Sequence, residues 1–116
     1  MALTVLLRCE DLEKTRAYYR DHLGFTLSDS AEGTLTAVLE DCRLVFTTAD
    51  LWGSAPQCSG TIYLQIGEVD RYFEQIKDQV QIAWPLQDMP YGSREFGVRE
   101  CNGYWLGFAG SSADKS

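Results

Sequence analysis

The chain has 116 residues and a mass of 13.1 kDa, with 45% apolar and 12% aromatic residues. That suits one domain able to bury roughly two-thirds of the surface its unfolded chain exposes. Ten Lys and Arg against 17 Asp and Glu leave a net charge of −7, and no basic cluster interleaves with aromatics, which argues against a nucleic-acid partner. No apolar run approaches bilayer length, and MALTVLLRCEDLEK lacks the basic n-region and small-residue cleavage site of a signal peptide, so the reading is a cytoplasmic protein with no membrane partner.

The first predicted strand, Thr4 to Cys9, is a β-branched and aliphatic run. A helix follows, with Asp11 as N-cap, an apolar stripe of Leu12, Tyr19 and Leu23, and Gly24 at the C′ position; His22 suits the last turn of that helix. Three strands come next: Phe25 to Ser30, Thr34 to Glu40 after a turn at Glu32-Gly33, and Arg43 to Thr48 after a tight turn at Asp41. Residues Ala49 to Gly60, ADLWGSAPQCSG, read as a linker in which Trp52 is the odd residue, more often a plug for a neighbouring surface than a ligand contact.

The order then repeats. Thr61 to Val80, TIYLQIGEVDRYFEQIKDQV, echoes the opening stretch 57 positions on, with Thr4 on Thr61, Leu7 on Leu64, Asp11 on Glu68 and Leu23 on Val80. Thr61 to Ile66 is a strand. Val69, Tyr72, Phe73, Ile76 and Val80 form a helical stripe, with acidic Glu68 and Asp70 in the first turn. Gln81 to Trp84 is a strand, Pro85 to Gly92 a loop, and Arg94 to Cys101 and Tyr104 to Ala109 a hairpin closed by Asn102-Gly103. The tail from Gly110 is small and polar, expected to fray. Cys9, Cys42, Cys58 and Cys101 show no CxxC spacing and read as buried reduced thiols.

The expected fold is therefore α+β: two βαβββ modules forming a curved mixed sheet around a cavity, with helices outside. A single domain spans 1–116, with module one about 1–50, a linker about 49–60, module two about 61–110 and a tail from 111 to 116. DLEKTRAYYRDHLGF at Asp11 to Phe25 and YGSREFGVRECNGYWLGF at Tyr91 to Phe108 resemble the vicinal oxygen chelate superfamily, the glyoxalase, bleomycin-resistance and extradiol-dioxygenase group. Its first element usually reads D-x-x-x-S-x-x-F-Y-x-x-x-L-G-F and its last a variation of D-P-D-G-N.

Enzymes of that family hold a divalent metal with His, Gln and Glu at the start of each first strand and in the middle of each last strand. The resemblance carries those positions onto Thr4, Val45, Thr61 and Gly107. A threonine hydroxyl is a poor neutral donor, and Val and Gly offer none. No metal or other cofactor is expected, and no catalytic residue is assigned. His22, the one histidine, lies on the first helix, and Glu40 and Glu100 read as solvated carboxylates at turns.

Strand alternation adds to the inward face. With Thr4 go Leu6 and Arg8; with Thr61 go Tyr63 and Gln65; with Gly107 go Trp105 and Ala109; with Val45 goes Arg43. The expected ligand-binding set is Thr4, Leu6, Arg43, Val45, Thr61, Tyr63, Trp105 and Gly107, with room beside the Trp105 indole for a planar ligand. Trp84, Tyr91 and Phe96 are candidates for the cavity mouth. For any one of these aromatics, ordinary core is the more frequent role, whereas an inward Arg43 or Arg8 calls for a carboxylate partner.

The leading functional reading is a metal-independent binder of a planar or aromatic small molecule, a cationic one included. It is similar to the bleomycin-resistance branch and works as a homodimer. The alternatives are a divergent glyoxalase-like lyase or isomerase or a dioxygenase-related enzyme with relocated groups, in which a tyrosine such as Tyr63 or Tyr91 serves as acid or base, and a scaffold used only for dimerisation.

Overall fold

The computed structural model describes residues 3–30, 33–49, 51, 53 and 60–111. Trp52, Cys58 and most of the linker and tail lie outside the described residues. The chain divides into two compact units, residues 1–57 with 101–103 and residues 58–100 with 104–116. Each holds one four-stranded mixed sheet and one helix, which makes the fold α+β and built from two βαβββ modules.

In the first unit the strands are β1 (Thr4–Arg8), β2 (Thr26–Asp29), β3 (Thr34–Leu39) and β4 (Cys42–Thr47), in the spatial order β1-β4-β3-β2. The β1–β4 pair is parallel and the other two are antiparallel. The turn into β4 is tight, as expected, and Glu40 takes a left-handed φ of 54° to make it.

The helix α1 (Leu12–Ala17) begins at Asp11, whose side chain accepts the Lys14 N–H at 3.0 Å, a cap worth about 1 kcal/mol. It does not run on as a uniform α-helix. Tyr18–His22 widen into a π-helical turn in which the Leu23 N–H donates to the Tyr18 carbonyl at 3.2 Å. The reason lies in spacing. Thr15, Tyr19 and Leu23 are the buried positions, four residues apart, and a stripe of that period stays in line only if the turn is wider than 3.6 residues. Leu12, expected on the stripe, is half-buried, and Thr15 takes the place in the core.

Gly24 closes the helix as anticipated. Its φ is 76°, the Phe25 N–H donates back to the Tyr19 carbonyl at 2.9 Å, and the two rings meet edge to face at 5.1 Å, a left-handed glycine end one residue wider than a Schellman turn, as follows from the π-turn before it. Tyr19 also packs on Phe46 at 5.0 Å, within a core that includes Leu7, Leu35, Ala37 and Leu44. Residues 101–103 belong to this unit, and Asn102 Nδ2 donates to Thr15 Oγ1 at 3.3 Å.

In the second unit β5 (Thr61–Gln65), β6 (Gln81–Asp88), β7 (Ser93–Arg99) and β8 (Trp105–Ser111) lie in the order β5-β8-β7-β6, again with the first and last in parallel. α2 (Val69–Ile76) buries Val69, Tyr72 and Ile76 and ends before Val80, short of the expected reach. Tyr72 packs on Phe108 at 4.9 Å and Phe73 on Phe96 at 4.9 Å, with Phe96 and Phe108 stacked at 5.3 Å. This aromatic stack, with Leu64, Val98 and Leu106, is the core of the unit.

Two expectations change here. β6 runs through Pro85 to Asp88 rather than stopping at Trp84. Proline is tolerated because β6 is an outer strand and its pairing with β7 is interrupted by irregularities between Ile82 and Trp84 and between Trp84 and Gln87.

The β7–β8 hairpin is also wider than a two-residue Asn-Gly turn. The Glu100 N–H donates to the Tyr104 carbonyl at 2.9 Å, enclosing Cys101, Asn102 and Gly103, with Gly103 left-handed at φ 88°. This is a three-residue loop ending on a left-handed glycine. Glu100 is not solvated: it is buried, and its Oε1 accepts the Tyr104 N–H at 3.1 Å.

Candidate functional site

Because α2 covers the face of the second sheet that carries Leu64, Phe96, Leu106 and Phe108, alternation leaves Thr61, Tyr63, Glu95, Gly97, Arg99, Trp105, Gly107 and Ala109 on the other face. One row crosses all four strands at the same level: Tyr63 on β5, Gly107 on β8, Gly97 on β7 and Trp84 on β6. Two aromatics flank two glycines.

The glycines are needed for space. A Cβ on Gly107 would sit 2.6 Å from Cδ1 and Cε1 of Tyr63, and one on Gly97 would sit 2.5 Å from Cδ2, Cε2 and Cε3 of Trp84. Each ring therefore lies flat over a strand that has no side chain there. The room that the sequence places beside Trp105 is taken by Tyr63, and the Trp105 ring itself carries the Arg99 guanidinium 4.8 Å from its centroid.

Lying across β8 brings the Tyr63 hydroxyl to β7. There it donates to Glu95 and stands beside Tyr91, whose single proton goes either to Glu95 or to the Tyr63 oxygen. Burial, followed by the charge of Glu95 and the bond to it, pushes the Tyr63 hydroxyl above the ordinary tyrosine range; burial and the bond to Glu95 do the same for Tyr91. The tyrosines thus stay protonated and act as donors.

Glu95 is only 2% exposed, while Tyr63 and Tyr91 beside it are 48% and 67% exposed. Oε1 of Glu95 is sealed from solvent and accepts no hydrogen bond from the described residues, which leaves the phenols to Oε2. Among the described residues no Lys, Arg or His pairs with Glu95. Arg94, next in sequence, points to the helix side and bonds Asp70 at 2.9 Å and Asp88 at 3.2 Å. An unsatisfied buried acceptor costs about 1–3 kcal/mol, more when charged.

The expected site residues fall into equivalent places in the two units. In the first, Thr4 pairs with Arg43 and Leu6 with Val45; in the second, Thr61 pairs with Trp105 and Tyr63 with Gly107. Each quartet occupies two successive rows on one face of its own sheet. Thr4, Leu6 and Arg43 are exposed and Val45 is half-buried. Arg43 has no carboxylate partner among the described residues and lies at the surface.

The family's metal does not fit these positions: neither the Thr4 and Val45 pair nor the Thr61 and Gly107 pair offers more than one weak neutral oxygen. Among the described residues no three His, Cys, Asp or Glu side chains come together as a ligand set. His22 is exposed and stacks on Tyr18 at 5.2 Å. Phe96, expected at a cavity mouth, is instead fully buried under α2.

The fold defines a class: two βαβββ modules, each with a four-stranded mixed sheet. Residues 2–108 match the Glyoxalase/Bleomycin resistance protein/Dioxygenase superfamily, and the chain belongs to it. No match is found among curated proteins.

Among solved structures the chain is similar to TioX from Micromonospora sp. ML1, at 20% identity and TM-score 0.78, covering 96% of this chain and 98% of that one. It is also similar to the bleomycin-binding protein of bleomycin-producing Streptomyces verticillus, solved with copper(II)-bleomycin, at 18% identity and TM-score 0.69 over 93% of each chain. A superfamily member from Sphaerobacter thermophilus matches at 19% identity and TM-score 0.77, over 96% and 97%. At these identities the likeness is one of fold.

Proposed function

We propose that the chain is a metal-independent small-molecule-binding protein that sequesters a planar or aromatic compound. The observation that carries this reading is the row Tyr63–Gly107–Gly97–Trp84, two rings laid flat over glycine beside a buried carboxylate. Flat aromatic faces with a few polar groups are the usual lining of a small-ligand site. Thr61 and Trp105 extend that face in the second unit, and Thr4, Leu6, Arg43 and Val45 supply the corresponding face in the first. The bleomycin-binding relative lends support, since the same fold there holds a drug.

In this reading the two modules make one domain, the active form is a homodimer and the protein works in the cytoplasm. Cys9, Cys42 and Cys101 are thiols, which suits a reducing compartment. The tyrosine-based enzyme reading is the weaker one, because hydroxyls held protonated are poor general bases.

The test is quenching of tryptophan fluorescence by a panel of planar aromatic compounds, with and without a strong chelator, alongside elemental analysis of the purified protein. Saturable quenching indifferent to chelator is expected. Stoichiometric tightly held metal together with turnover of a glutathione hemithioacetal would sink the proposal.

A further inference from the structure

We infer that Glu95 is the specificity group of this site and that its ligand carries an amidinium, guanidinium or protonated amine on an aromatic plane. This rests on the ligand-binding reading above and adds the chemistry of the ligand's polar end.

The argument starts from an unmatched acceptor. A carboxylate buried to 2% exposure normally has its charge answered by a cation or by donors on both oxygens. Among the described residues Glu95 has phenolic donors on one side only, and its Oε1 has none. The remaining neighbours on this face supply no cation. In its row stand Gln65, Ala109 and Gln87, and in the next row Tyr63, Gly107, Gly97 and Trp84. Arg99, four residues along β7, lies over the Trp105 ring. The missing partner is thus a group with N–H donors and positive charge.

The surroundings narrow it further. The rings of Tyr63 and Trp84 present π faces, which attract cations as well as planar carbon frameworks. A planar N–H fork matches a carboxylate better than a point charge does. Access is through Tyr91, which is 67% exposed on a turn closed by the Gly92 N–H to the Met89 carbonyl at 3.0 Å. Rotation of that exposed side chain uncovers the carboxylate while β7 stays fixed.

The test uses two planar probes of one shape, benzamidinium and neutral benzamide, titrated against the full-length protein by tryptophan fluorescence and by amide NMR. The expected result is at least about tenfold tighter binding of benzamidinium, as charge-assisted hydrogen bonds give, with shifts centred on the amides of Glu95, Gly97 and Gly107. Glu95→Gln should erase the preference.

Equal affinity for the two probes, a preference that survives Glu95→Gln, or shifts centred elsewhere would overturn the inference while leaving the binding proposal standing. Failure of every planar compound to bind would overturn both. If Glu95→Gln does not fold, the probe preference and amide map of the unaltered protein decide the matter.

Discussion

The ring of Tyr63 rests on the backbone of Gly107, its cross-strand partner, and by crossing that strand it delivers a hydroxyl to Glu95 one strand further on. A single methyl group would prevent this. Gly107→Ala should lift the ring, break its bond to Glu95 and lower stability by about 1–3 kcal/mol, the usual cost of overpacking. Urea denaturation measures the loss, and Tyr63→Ala combined with Gly107→Ala should recover part of it, since the clash then has no partner.

The two raised tyrosines make stability fall at high pH. Below the ordinary tyrosine pKa of about 10 the phenols are protonated in folded and unfolded chains alike, and their contribution is fully present. Above it the unfolded chain loses those protons first, so stability drains away as the pH rises towards the folded-state values. Phenolate absorbance should show late-titrating tyrosines among the six in the chain, and the double variant Tyr63→Phe, Tyr91→Phe should lower their number.

Arg99 covers the Trp105 indole at 4.8 Å. Arg99→Ala should cost roughly 0.5–1 kcal/mol as the cation–π contact is lost. It should also leave the indole open, shifting Trp105 emission and raising its accessibility to a neutral quencher. Unchanged emission would mean that the stacked pair does not persist in solution.

Gly24 holds a φ of 76° at the end of the first helix. Gly24→Ala forces a side chain into the left-handed region at about 1–2 kcal/mol. Thermal unfolding should register the loss, with ligand affinity in the second unit unaltered.

The modular fold was legible because both halves repeat one hydrophobic rhythm, and the register confirms it: Thr4 with Arg43 and Leu6 with Val45 match Thr61 with Trp105 and Tyr63 with Gly107. The site was legible only in part, and the cause is one loop residue. Reading Asn102-Gly103 as a two-residue turn sets Val98 opposite Gly107 and turns Phe96 to the open face. The three-residue loop sets Gly97 there and turns Glu95 outward with it. A slip of one position exchanges the faces of a whole strand, which hides Glu95 and Gly97 and puts buried Phe96 in their place. Gly103 just before the last strand was the available signal, since a left-handed glycine ends the three-residue loop as readily as the two-residue one. The π-turn at Tyr18–His22 likewise follows from the four-residue spacing of Thr15, Tyr19 and Leu23, which a search for an α-helical stripe passes over.

Pro85 and the two irregularities in β6 bear on the fate of the chain at high concentration. An outer strand with an unbroken row of N–H and C=O groups is a template on which further copies can be laid down as fibrils. β6 lacks one N–H and loses its even pairing at two points, so from that side its sheet is a poor seed for growth.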